Sequence, residues 1–97
     1  MNAPDTGLLE LKKTSQFRKD LKLMVKRRLN IDLLDEVIQT LRERKPLDPK
    51  RRDHELTGDY SGFRECHIQS DWLLIYLIDG GNLVLTASRT GSHSDLF

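Results

Sequence analysis

Six consecutive apolar residues, LLIYLI at positions 73–78, constrain this chain more than any other feature of it. The run is far shorter than the roughly 18 residues a membrane-spanning helix needs. A short, continuously apolar segment next to a turn is instead what the centre of a sheet looks like, because such a strand is covered on both faces. The flanking segments fit that frame. FRECHI (63–68) is a strand candidate, DGGN (79–82) is a turn, and LVLTASR (83–89), rich in β-formers, should return antiparallel to the central strand.

The first half of the chain has a different periodicity. After a short strand candidate, LLELKK (8–13), Thr14 or Ser15 can cap a helix in which Phe17, Leu21, Met24 and Val25 form one apolar stripe. Asn30 or Asp32 can cap a second helix running to about Arg44, with Leu34, Val37, Ile38 and Leu41 on one face and acids near its positive end. The short link between them predicts an antiparallel helical hairpin. Pro46 and Pro49 stop the second helix and open a loop. The expectation is an α+β fold: an N-terminal strand, the hairpin, then three strands, in a mainly antiparallel sheet. Both helical stripes would pack on one face and leave the other free for function. The 97 residues suit a single domain with one modest core, and hence a shallow site.

Charge narrows the function classes. The net charge is only +1, yet between Lys12 and Arg28 eight basic residues stand against one acid, Asp20, and a second basic cluster, RERKPLDPKRR, spans 42–52. Two such clusters in a short chain point to a polyanionic partner, either nucleic acid or an acidic protein segment. The N-terminus has no basic region followed by an apolar one, so no signal peptide is expected. With a single cysteine, Cys66, no internal disulfide can form, and a buried thiol in a cytoplasmic protein is the expectation. Neither DPKRRDHE nor any other segment has the spacing of an EF-hand or zinc motif, and no glycine-rich phosphate loop is present, so no metal or cofactor is expected.

The chemistry-bearing residues gather toward the other end of the sequence. His54, His67 and His93 fall in the loop, in the strand FRECHI and in the tail. Two converging histidines would supply a general acid and a general base at neutral pH without a metal. The hairpin at DGGN should return Arg89 to the end of the sheet where Asp71 and Trp72 stand. His67, Asp71, Trp72, Arg89 and His93 are therefore predicted to lie at one sheet end. An arginine there can neutralise a phosphate, and an exposed Trp or Phe can stack on an unpaired base for about 1–3 kcal/mol. Together these groups are what cleavage of single-stranded RNA by attack of a ribose 2′-hydroxyl would require.

At these same residues, DHELTGDYSGFRECHIQSDWLLIY followed by RTGSHSDLF, the sequence resembles the YafQ branch of the RelE/ParE superfamily, the toxins of type II toxin–antitoxin modules. The resemblance implies a RelE-like fold and a ribosome-dependent mRNA endoribonuclease held inactive by a cognate antitoxin of ribbon-helix-helix type. DNA would be met only through that antitoxin. It also implies site residues: His54, His67 and His93 as the active-site histidines, Asp71 as the acid that orients or shares protons, Arg89 on the phosphate, and Phe97 positioning a base. His54 or His67 would be the base and His93 the acid. Trp72, Lys22, Lys26, Arg51 and Arg52 are the accompanying candidates for RNA contact. Two rivals share the fold, a ParE-like inhibitor of DNA gyrase and an inactive RNA- or protein-binding module. An inhibitor, however, needs no pair of proton-transfer groups.

Overall fold

The computed structural model describes residues 7–97, so part of the segment read as lacking a signal peptide lies outside the described residues. The elements are β1 (Glu10–Lys13), α1 (Ser15–Lys26), α2 (Ile31–Arg42), β2 (His54–Glu55), β3 (Arg64–Gln69), β4 (Trp72–Asp79), β5 (Val84–Gly91) and α3 (His93–Leu96), with 3-10 turns at Pro49–Arg51 and Gly58–Tyr60. The strands form one sheet in the order β1-β5-β4-β3-β2. β1 runs parallel to β5, and every other pair is antiparallel. The α+β architecture expected from the sequence is the one observed.

The apolar run is central because both its faces are covered. Trp72, Leu74 and Tyr76 point into the main core, which they share with Cys66 and Ile68 of β3, Leu85 and Ala87 of β5, and the inner faces of both helices. Leu73 and Ile75 point the other way, into a smaller cluster closed by Leu96 and flanked by Leu56, Tyr60 and Phe63. The second face is therefore partly covered, contrary to the expectation that packing both helices on one side would leave the other free. The 56–63 segment and α3 roof part of it. Beyond Tyr76 the cover ends, and Leu77 and Ile78 are more than a third exposed. Burial pushes the Cys66 thiol up to about 12, which makes it a packing residue and no nucleophile at neutral pH.

Both helices start as expected. The Thr14 hydroxyl accepts from the Phe17 N–H at 2.9 Å, and Asn30 accepts from the Asp32 N–H at 3.1 Å. α2 buries Leu34, Val37, Ile38 and Leu41. α1 is rotated from its expected stripe. Phe17 and Met24 are in the core and Leu21 sits at its margin, but Val25 is 55% exposed and Asp20 is buried in its place. The buried face follows 17, 20, 21 and 24, which is still helical spacing. It turns toward Asp20 because that carboxylate has partners on β5.

Two further elements depart from expectation. His54 lies not in a loop but in the two-residue β2, opposite Glu65. The last strand does not end at Arg89. It runs through Thr90 to Gly91, with a bulge that skips Ser88, and the tail then forms α3. Ser92 and Asp95 make a reciprocal capping box there. Gly91 is required by that fold-back, since a Cβ at this position would lie 2.9 Å from Asp95 Cβ.

Three arginines, Arg28, Arg44 and Arg52, take left-handed backbone angles, with φ of 62°, 59° and 53°. This region costs a side chain with a Cβ about 1–2 kcal/mol. Arg44 closes α2 in this conformation, donating its N–H to the Leu41 carbonyl. Arg44→Gly is expected to raise unfolding free energy by about 1 kcal/mol. A urea titration would read this as a higher midpoint at unchanged slope.

Candidate active site

The site is built on rows of side chains running across the sheet. On the face opposite the helices, His54, Glu65, Ile75 and Arg89 are successive register partners on β2, β3, β4 and β5. Two residues further along β3, His67 pairs with Leu73, which pairs with Gly91. Directly beyond Gly91 the capping box turns the chain, so α3 carries His93 back toward His67. The two imidazole rings come to 6.0 Å centroid to centroid.

His93 is held by Asp71 from the β3–β4 turn. One carboxylate oxygen accepts both the His93 backbone N–H at 3.0 Å and its ring Nδ1 at 2.6 Å. Those two bonds hold the Asp71 carboxyl below the usual carboxylate range. On His67, Nδ1 lies 3.2 Å from the Ser70 carbonyl. A carbonyl can only accept, so Nδ1 carries the proton and Nε2 keeps its lone pair. The aromatic neighbours continue the site. Phe97, 62% exposed, lies 6.2 Å from the His93 ring and 5.5 Å from Tyr60, which in turn packs edge-on to Phe63.

Arg89 is fixed before any substrate arrives. Its Nε and Nη2 donate to Asp20 at 2.8 and 3.2 Å. Burial by itself would raise the pKa of Asp20. Hydrogen bonds from Arg89, Gln16 and the Thr90 N–H outweigh burial and hold it below the ordinary value. The tail has a tether of its own. Arg27, capping α1, grips Asp95 of α3 with two bonds of 2.7 and 2.9 Å, and the Asp95 carboxyl is held far below its usual range by that guanidinium and by the Ser92 N–H.

The chain is matched over residues 9–97 by the family model for the YafQ bacterial toxin of type II toxin–antitoxin systems. The chain belongs to the YafQ toxin family. Among relatives, the mRNA interferase toxin YafQ of Escherichia coli K12 is 34% identical over 89 residues, covering 91% of this chain and 95% of that protein. A metal-bound toxin from Helicobacter pylori is 42% identical, with a TM-score of 0.87 and coverage of 93% of this chain and 100% of that one. The E. coli DinJ–YafQ toxin–antitoxin complex gives a TM-score of 0.84 at 33% identity, covering 93% and 98%.

The fold brings together His67, His93, Asp71 and Phe97, while Arg89 stands one row along the sheet, paired with Ile75. His54 stands one strand over, diagonal to His67. Its Nδ1 lies 2.6 Å from the Arg52 carbonyl, and its Nε2 lies 3.4 Å from Glu65. Trp72 is the clear correction. It is 3% exposed, its Nε1 donates to Thr90 Oγ1 at 2.9 Å, and no base can stack on it. Arg51 is likewise committed, donating to the Ile68 carbonyl. Lys22 and Lys26 line a separate apolar groove with Leu21 and Val25 that includes none of the site residues.

Sequence reasoning missed Glu65, Tyr60, Asp20 and the Arg27–Asp95 clamp. Glu65 could have been found, since it sits two residues before His67 on a strand and so shares its face. It is buried on that face at 4% exposure. The Asp20–Arg89 pair leads to a measurable expectation. Because Asp20 titrates below its ordinary 3.8 in the folded chain, its contribution is complete above about pH 4 and is lost as pH falls through the folded-state value. Asp20→Asn should cost about 1–3 kcal/mol at neutral pH by leaving Arg89 without its partner. It should also flatten the acid limb of a stability-against-pH curve measured by denaturant titration.

Proposed function

We propose that this chain is an mRNA interferase: a ribosome-dependent endoribonuclease that cuts the message by attack of a ribose 2′-hydroxyl. The observation that carries this reading is the pair His67 and His93, 6.0 Å apart, each with Nδ1 spent on a fixed acceptor and Nε2 left available. His67 holds its proton on Nδ1 against a neutral carbonyl, which suits a base. His93 is oriented through Nδ1 by the Asp71 carboxylate, which suits the acid of the pair. His54 turns its ring toward the Arg52 carbonyl and Glu65, one strand away from the pair, which leaves His67 as the base that faces His93.

In the reaction, His67 Nε2 takes the 2′-hydroxyl proton as the oxygen attacks the adjacent phosphorus. The new O2′–P bond forms while the P–O5′ bond breaks, and His93 gives its proton to the departing 5′-oxygen. The products are a 2′,3′-cyclic phosphate and a 5′-hydroxyl. Arg89, preset by Asp20, offsets the extra charge of the transition state with its remaining N–H groups. Phe97 and Tyr60 offer aromatic surface to the base beside the cut. No step needs a metal. Although the Helicobacter toxin is described as metal-bound, among the described residues here no three His, Cys, Asp or Glu side chains converge to hold an ion.

The relatives' names supply the biological setting. A cognate antitoxin, as DinJ is for the E. coli toxin, would bind and silence this chain. The site of action would be the ribosome, in the cytoplasm, and no helix among the described residues is long and apolar enough to cross a membrane. The gyrase-inhibitor reading gains nothing from the geometry, since a preset proton-transfer pair has no task there.

Translation in vitro separates the readings. Added protein should produce codon-phased cuts in the message with 5′-hydroxyl ends, and His67→Ala and His93→Ala should each lower the rate by about 10²–10⁴-fold. Intact message together with inhibited supercoiling would overturn the nuclease reading. Removing Phe97 alone should lower cleavage while leaving the thermal midpoint nearly unchanged, because its ring is mostly exposed.

A further inference from the structure

A second cleft, of about 640 Å³, opens beside the candidate active site and shares His67 with it. His67, Gln69 and Ser70 form one wall, and Lys50, Arg51 and Arg52 the other. No carboxylate is among the described residues that line it. The nearest acids in sequence are spent elsewhere. Asp48 accepts from the Lys50 N–H at 2.9 Å, and Asp53 is bound to Arg64 and Tyr76. The cleft therefore carries three consecutive cations with no internal neutralisation, and its size is that of a small-ligand pocket.

The basic wall is rigid rather than a loose surface run. Asp48 caps the 3-10 turn, Pro49 occupies its first position, and the Arg51 guanidinium pins it to the Ile68 carbonyl of β3. Arg52 is held left-handed at φ 53°, and its carbonyl meets Nδ1 of His54. A glycine or asparagine would tolerate that backbone better.

We propose that this cleft is the subsite for the sugar–phosphate backbone next to the cleaved bond, with Lys50 and Arg52 gripping one or two phosphates of single-stranded RNA while Arg51 holds the wall in place. The assignment of the cleft to the message rests on the nuclease reading. The contacts are to backbone phosphate, so the subsite adds affinity and register but little base preference.

The test uses the full chain, a short RNA with 2′-O-methyl groups that block cleavage, and the double variant Lys50→Gln/Arg52→Asn. The asparagine suits the left-handed backbone, and a urea midpoint no lower than that of the wild type confirms the fold. Lys12→Gln/Lys19→Gln, on exposed positions elsewhere, is the charge-matched control. For two lost phosphate contacts, the slope of log affinity against log salt should fall by about 1.4. The amide resonances of Gln69 and Ser70 should shift on adding RNA to the wild type and stay still in the variant. On programmed ribosomes the variant should raise KM more than it lowers kcat. An unchanged salt slope, an equal loss in the control, or tighter binding of an RNA duplex than of the single strand would overturn the subsite. If wild-type protein binds the oligonucleotide in this cleft but leaves the message uncut, the nuclease reading fails and the RNA subsite stands.

Discussion

The carboxylate of Asp20 is the point on which the site end of the molecule is assembled. It accepts from Arg89 twice, from Gln16 and from the Thr90 N–H, so a helix and the last strand are joined through one buried group. Thr90 passes the connection inward. Its hydroxyl donates to the Leu73 carbonyl and accepts from Trp72 Nε1. A buried polar network of this kind is worth having only when every member is satisfied, and here each is. It sits beneath the histidines and fixes the end of β5 from which His93 departs.

That network also explains what the sequence could and could not convey. The α2 stripe was legible because four apolar residues at helical spacing had no competitor for the core. The α1 stripe misled at Val25, since the rotation is set by a carboxylate whose partner lies 69 residues away. Trp72 looked like a stacking surface because it stands at the entrance to the site. Its neighbour on the inner face, Thr90, offers the one acceptor that lets an indole be buried. β2 was out of reach, two residues being too few for any period to register. The turn of α3 did carry a signal, Ser92 followed at three residues by Asp95, but a helix of four residues has no stripe to support it.

Within the site, the two histidine rings are held by different means. His67 belongs to a paired strand of the sheet, and its ring is oriented by the turn that follows it. His93 belongs to a short element that depends on three separate side chains, Asp71, Ser92 and Asp95, with Arg27 gripping the last of these. The preformed distance between the rings is thus a balance between a sheet and a clamp. Residues far from both rings, on the cap of α1, take part in setting it.

The parallel pairing of β1 with β5 has a consequence for how the molecule comes into being. It joins Glu10 to Val84 and Lys13 to Ala87, and the adjoining Thr14 hydroxyl bonds the Ser88 carbonyl across 74 residues. Contacts of such sequence separation are the slow ones in a folding reaction, because the closure entropy is lost before the contact forms. α1 can bring Asp20 to Arg89 only when that distant pair is in register. Arg89 therefore takes its Asp20 partner across a long loop of chain, whereas His67, Asp71 and His93 are brought together by neighbouring C-terminal elements.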